Sequence, residues 1–199
     1  MLVRAPTTRH NVVVPTGVRP ARTSDVDDIA AVQIRSWQVN YSNILPAAEL
    51  AALDPGDLAL TWASGILNPP TTNHRLMVAL DGSSGSDALV GYAAFGPSTD
   101  PDAGPTTAEL LALVVDPDCI RQGHGSRLLA ATVDHLRASG SQTLITWLPL
   151  ADELSRAFFL ASGWGPDSAY RDRVISDEIV LREVRLVTDI EIAPRSSSK

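Results

Sequence analysis

The spacing of hydrophobic residues changes several times along the chain, and each change marks an element. From Leu110 to Val115 the run Leu-Leu-Ala-Leu-Val-Val is unbroken, too short for a membrane span and rich enough in branched residues for a central strand covered on both faces. Asp116 and Pro117 follow, and proline offers no ladder donor, so the strand ends there. Past Gly125, Leu128, Leu129, Val133 and Leu136 return at helical spacing, and Gly140 stands where a helix-ending glycine belongs. Gly123-His124-Gly125 therefore joins a strand end to a helix start.

The same pattern orders the rest of the chain. Residues 1–17 hold prolines, threonines and scattered arginines around Val12-Val13-Val14, an extension that can add a short strand. Val18 to Ala21 reads as a first strand, placed at an edge by Pro20. Ser24 followed by Asp27 is a helix-start signature, and Val26, Ile29, Ala30, Gln33 and Trp37 share one stripe. A helix is predicted over Pro55 to Ile66, then strands over Leu76 to Leu80 and Ala88 to Phe95, split by a flexible loop at 81–87. After a Pro/Gly/Asp loop at Gly96 to Pro105, a strand runs from Thr143 to Leu148. Asp152 caps a helix reaching Ser162, with Leu154, Phe158 and Ala161 on one face. Closing strands are predicted over Arg171 to Ile175 and Glu183 to Ile190, before a polar tail at 191–199. The predicted domain is 18–190, with no internal repeat.

Length and charge narrow the class. The 199 residues suit one domain with a substantial core. A net charge of −7 without a basic run argues against a nucleic-acid partner, and such a surface can weakly steer a cationic amine. The single cysteine, Cys119, excludes an internal disulfide and fits a reducing cytoplasm. No stretch approaches the ~20 apolar residues of a membrane helix, and the N-terminus lacks an apolar signal core, so no membrane partner is expected.

The turn at Gly123 carries the chemistry. A helix start exposes partly positive N–H groups, and glycines let a phosphate approach them closely. A dinucleotide fingerprint would need glycine where Leu128 stands, and a P-loop would need Gly-Lys-Ser/Thr, which is absent. By itself Gly-x-Gly is also an ordinary turn. In order and spacing, however, Val115-Asp116-Pro117, Arg121-Gln122-Gly123-His124-Gly125-Ser126 and Leu128-Leu129 resemble the cofactor motif of the GNAT N-acetyltransferase superfamily, Gln/Arg-x-x-Gly-x-Gly/Ala. The first position of that motif is Ile120 here. Ala157-Phe158-Phe159-Leu160-Ala161-Ser162-Gly163-Trp164 resembles the second motif, and Trp37, Tyr41 and Leu45-Pro46 resemble the segment between the first two helices.

The resemblance implies an α/β fold, with a mixed, mostly antiparallel sheet of six or seven strands and about four helices. It implies acetyl-CoA as co-substrate with no metal, an amine acceptor, direct attack in a ternary complex, and dimers as a common state. Arg121, Gln122, Gly123, His124, Gly125 and Ser126 would hold the pyrophosphate. Backbone groups at Leu113, Val114 and Val115 would hold the pantetheine arm on a strand that bulges and splays, and Asp152 would take the place of a cofactor-touching Asn or simply cap its helix. Trp37 and Tyr41 would face the acceptor or join helices as core aromatics. Glu109, fourteen residues before Gly123, matches the catalytic glutamate of histone-acetylating members and would deprotonate an amine of pKa ~10. Phe159 occupies the position of the usual tyrosine acid and cannot donate a proton. Tyr41, Tyr92, His124 and Ser155 are the substitutes. The alternative is a non-catalytic acyl-CoA-binding module that keeps the fold for sensing or assembly.

Overall fold

Thr107 to Val115 forms the strand around which the computed structural model is built, and it is the fourth of seven in one mixed sheet. The structure describes residues 17–82, 88–176 and 179–191. Val12-Val13-Val14, Ser83 to Asp87 and the tail beyond Glu191 lie outside the described residues. The strands are β1 (Gly17–Pro20), β2 (Arg75–Asp81), β3 (Ala88–Pro97), β4 (Thr107–Val115), β5 (Thr143–Pro149), β6 (Gly165–Ser176) and β7 (Ile179–Asp189), ordered β1-β2-β3-β4-β5-β7-β6. Pro20 sits on the edge strand, where a missing N–H costs no ladder bond. Among these pairings only β4 with β5 is parallel.

Among the described residues five α-helices accompany the sheet: α1 (Val26–Asn40), α2 (Ala47–Ala51), α3 (Pro55–Leu67), α4 (His124–Ala138) and α5 (Glu153–Ala161). The short α2 adds one to the four expected. One core lies under α4 and α5, where Leu128, Leu136 and Phe159 meet Phe95, Ala108, Leu110, Leu144 and Leu186. The other lies under α1 and α3, where Ile29 and Val32 meet Val78 and Tyr92, and Trp62 packs alongside. Gln33, the polar member of the α1 stripe, is buried because its Oε1 accepts from Trp62 Nε1 at 2.7 Å. That bond satisfies an otherwise costly buried amide.

Several expectations are corrected. The helix start at Ser24 belongs to Asp25 instead, whose carboxylate accepts from the Arg22 N–H at 2.7 Å and pairs with Arg19. Leu110 to Val115 is not covered on both faces: Leu111 is 54% exposed and Ala112 to Val115 are half-buried. The apolar stripe of α5 is also misplaced. Phe159 enters the core, Leu154 is exposed and Ala161 faces solvent. Finally, β6 starts at Gly165 and β7 at Ile179, both earlier than expected.

β4 controls the shape of the sheet. Against β3 its register passes from Ala112↔Ala94 to Leu110↔Phe95, so Leu111 is an extra residue that bulges the strand. Against β5 it pairs only over Thr107 to Glu109. The last link is a side chain, the Thr146 hydroxyl donating to the Leu110 carbonyl at 2.9 Å. Beyond it the two strands part. Gly91 on β3 lets this bent segment pack closely, because a Cβ there would lie 2.7 Å from the Val114 carbonyl and 3.3 Å from Leu128 Cδ1. Gly91→Ala is therefore expected to cost roughly 1–3 kcal/mol, read by calorimetry as a Tm lower by about 2–4 °C per kcal/mol. An unchanged Tm would contradict the close approach.

Candidate functional site

Beyond its departure from β5, β4 keeps β3 as its one ladder partner, and Asp116 holds the strand's exit. Its backbone N–H donates to the Val90 carbonyl at 2.8 Å, its Oδ1 accepts from Asp118 N at 3.1 Å, and its Oδ2 accepts from Arg35 Nε at 2.9 Å. The Arg35 pair bolts α1 to the strand exit. A 3-10 turn over Pro117–Cys119 follows, then Ile120 in extended conformation, Arg121 at φ 60° and Gly123 at φ 82°. The positive φ at Gly123 is easy for glycine and poor for other residues. It turns the chain into α4, whose first turn borders a groove.

That groove is a cavity of about 490 Å³ bounded by β4, the turn after it, α5 and the end of α1. One wall is β4 at Leu113, Val114 and Val115, and the turn at Arg121, Gly123, Gly125 and Ser126 closes one end. The opposite wall is α5 with Asp152 at its head. Asp152 is buried, and its Oδ1 accepts from Ser155 N at 3.0 Å, so the cap also fixes the wall. The far end is α1, through Ser36, Trp37, Asn40 and Tyr41.

The segment from residue 40 to residue 164, which carries this whole frame apart from the rest of α1, matches the model of the acetyltransferase (GNAT) family. The chain belongs to the GNAT acetyltransferase family. It is an acetyl-CoA-dependent N-acetyltransferase. It is 30% identical over 169 residues to the uncharacterized N-acetyltransferase YuaI of Bacillus subtilis (strain 168), covering 85% of this chain and 90% of that protein. The fold is that of the PaiA N-acetyltransferase of Thermoplasma acidophilum in complex with coenzyme A, at TM-score 0.64 and 13% identity over 88% of this chain and 99% of that one. It is likewise that of YncA, a putative acetyltransferase from Salmonella typhimurium with acetyl-CoA, at TM-score 0.62 and 19% identity over 92% and 99%.

Within the acetyltransferase, the residues singled out from the sequence fall into three places. Leu113, Val114, Val115, Arg121, Gly123, Gly125, Ser126, Asp152, Phe159 and Tyr41 all border the groove. Gln122 and His124 do not. The His124 ring is buried behind the turn, with Nδ1 3.1 Å from Arg127 Nη2. Burial and the Arg127 charge hold the His124 imidazole below the usual histidine pKa. Glu109 lies outside the groove, at the end of β4 that is still paired.

Groove residues that sequence pattern alone did not single out are Ser36, Asn40, Leu154 and Phe158. Ser36, Trp37, Asn40 and Tyr41 follow one helical face, a signal that was present. Phe158 lies edge-on to Phe159, which in turn meets Trp164. Phe159 is thus a wall residue sunk into the core, 3% exposed.

Beside the groove the sheet carries a charged face. Cross-strand register puts Trp147 opposite Arg185 and Glu183 opposite Arg171. Arg185 bonds Asp100, Asp102 and Asp167 at 3.1, 2.6 and 2.7 Å. Arg171 donates to buried Glu183 at 2.6 Å and stacks over Trp147, whose Nε1 donates to Asp100. Tyr41 stands between groove and face. Burial, reinforced by the Asp152 and Glu183 carboxylates, pushes its phenol up to about 12 against the opposing charge of Arg173.

Glu109 borders the same charged face and is 7% exposed. Burial raises its pKa and Asp100 adds to the rise, against the charge of Arg171 and a hydrogen bond with Ser98. A carboxyl with a raised folded pKa contributes stability in full below its unfolded value and loses it as pH rises through the folded value. Glu109→Gln should therefore be more stable than the native protein at pH 7, with the gain fading below about pH 4. Chemical denaturation at both pH values checks this. A variant less stable at pH 7 would mean that the fold favours the ionised carboxylate.

Proposed function

We propose that the acetyltransferase binds acetyl-CoA along the groove and passes the acetyl group to a primary amine, of a small molecule or a protein, by direct attack in a ternary complex. The observation that carries this is the parting of β4 from β5 upstream of a glycine turn and helix start that border the same cavity as the freed strand. The pyrophosphate belongs on the 121–126 turn, where helix-start N–H groups and the Arg121 charge converge. The pantetheine arm, with its two amides, replaces the missing strand along Leu113 to Val115 and satisfies backbone groups that β5 no longer reaches. Solved structures of the same fold are named as complexes with coenzyme A or acetyl-CoA, which supports this choice of cofactor.

The thioester then lies near the α1 end, beside Tyr41. Its phenol, raised to about 12, stays protonated at working pH and can donate a hydrogen bond to the charge developing on the departing thiolate. This supplies the donor that Phe159 lacks, and it favours catalysis over the binding-module reading. A thiolate of pKa ~8.5 leaves readily, so the acid accelerates the step without being indispensable to it. Glu109 is buried and set back from the groove, and it takes up the amine proton through water. The excess of carboxylates on the charged face favours an ammonium group waiting to be deprotonated.

Thermal unfolding tests the cofactor first. Acetyl-CoA at a hundredfold over Kd should add ~2.7 kcal/mol, a rise of about 5–11 °C, which NAD and ATP do not reproduce. Thiol release over an amine panel tests the chemistry. Tyr41→Phe is expected to lower kcat by about a hundredfold with little change in KM for acetyl-CoA. Glu109→Gln should lose most activity at neutral pH and less at high pH, where free amine is abundant. Equal loss at every pH would remove the base assignment.

A further inference from the structure

The groove explains the front of the phosphate turn and leaves its back unexplained. In the GNAT motif a cation or amide opens the turn, and here that position holds Ile120, 43% exposed. The nearest guanidinium behind the turn belongs to Arg127, in the first turn of α4. Arg127 Nη2 donates to the Gln122 carbonyl at 3.1 Å and to His124 Nδ1 at 3.1 Å. Its Nη1 would lie 3.1 Å from a Cβ placed on Gly123, so the fork lies against the turn, and Gly123 leaves room for it. The Arg127 backbone N–H donates to the Gly123 carbonyl at 3.0 Å. Both carbonyls that precede the helix are thereby tied to the helix side.

That arrangement matters for an anion. Carbonyl oxygens repel a phosphate and N–H groups attract it, so drawing the oxygens back leaves the turn presenting donors alone. Arg121 keeps φ 60° although it has a side chain, a conformation that persists only where the surroundings over-determine it. Arg127 Nε is buried without a partner, a cost that a guanidinium free to turn to solvent would not bear. The held fork also brings a full positive charge to within one residue of the N–H groups, partly shielded from salt.

We propose that Arg127 is a positioning residue for the phosphates of the cofactor: it pins the 121–123 turn in its anion-receiving form and supplies from behind the charge that Ile120 does not. The proposal rests on the reading that the pyrophosphate occupies this turn. His124 takes part as the acceptor of the fork, with its proton on Nε2.

The test compares acetyl-CoA with S-acetylpantetheine, which carries the arm and thioester but no phosphate. Dissociation constants come from competition against one reporter, for the native protein, Arg127→Met and Arg127→Lys. Failure of the native protein to bind acetyl-CoA would sink the cofactor reading itself. If it binds, Arg127→Met should weaken acetyl-CoA by about tenfold and leave S-acetylpantetheine within about twofold. Equal loss for both ligands, or none for either, overturns the proposal. Arg127→Lys keeps a charge but cannot bridge Gln122 and His124. It folds under a milder change, and its selectivity for acetyl-CoA should still fall. Native selectivity in the lysine variant would overturn the pinning role.

Discussion

A parallel strand pair that stops after three residues is the constraint on which this structure depends. β4 follows β5 from Thr107 to Glu109, receives one last bond from the Thr146 hydroxyl, bulges at Leu111 and turns away. Inside a sheet, unpaired backbone is costly. The molecule keeps it because the freed edge borders a groove rather than a packed interior. The groove and the half-buried state of Leu113 to Val115 follow from that departure, and the glycine turn at Gly123 closes the groove they border.

Polar anchors replace the lost ladder. Asp116 is held by Arg35 and by backbone donors, Asp152 caps α5, and Asp25 links Arg19 to the start of α1. Most exposed ion pairs contribute little. The Asp116–Arg35 pair differs because its carboxylate is largely buried and it joins residues 81 positions apart, tying α1 to the end of β4. On the far half of the sheet the Arg171, Arg173 and Arg185 cluster with five acids leaves an excess of negative charge around the β5–β7 face.

What was legible in the sequence was what is local. The strand ending at Asp116-Pro117, the left-handed Gly123, the leucine periodicity of α4 and the Asp152 cap each depend on neighbours within a few residues, so pattern was sufficient. The family motifs extended that to the groove wall from Leu113 to Ser126. The failures lie where tertiary contacts decide. β6 begins at Gly165-Pro166-Asp167-Ser168, which reads as a turn. It is a bulged strand whose register skips to Tyr170, with Ser168 at φ 72°. Leu154 and Phe158 were assigned to a core face because helical periodicity cannot tell a core from a groove. Gln122 and His124 sit inside the motif, yet Arg127 draws His124 behind the turn. Glu109 was placed on β4 by spacing alone, and only the three-dimensional arrangement shows how far it is set back from the groove.

Cys119 borders the same groove, and the chain has no other cysteine. A reactive thiol lining the groove of an acyl-transfer enzyme would invite self-acylation, in which an acetyl group is lost to the protein before an acceptor arrives. Burial raises the Cys119 pKa, and the carboxylates of Asp116, Asp81 and Asp118 raise it further. The thiolate, which alone is a competent nucleophile, is thereby kept scarce. After burial, Asp116 is the largest of these influences, so the residue that anchors the strand exit also lowers the reactivity of the thiol beside it.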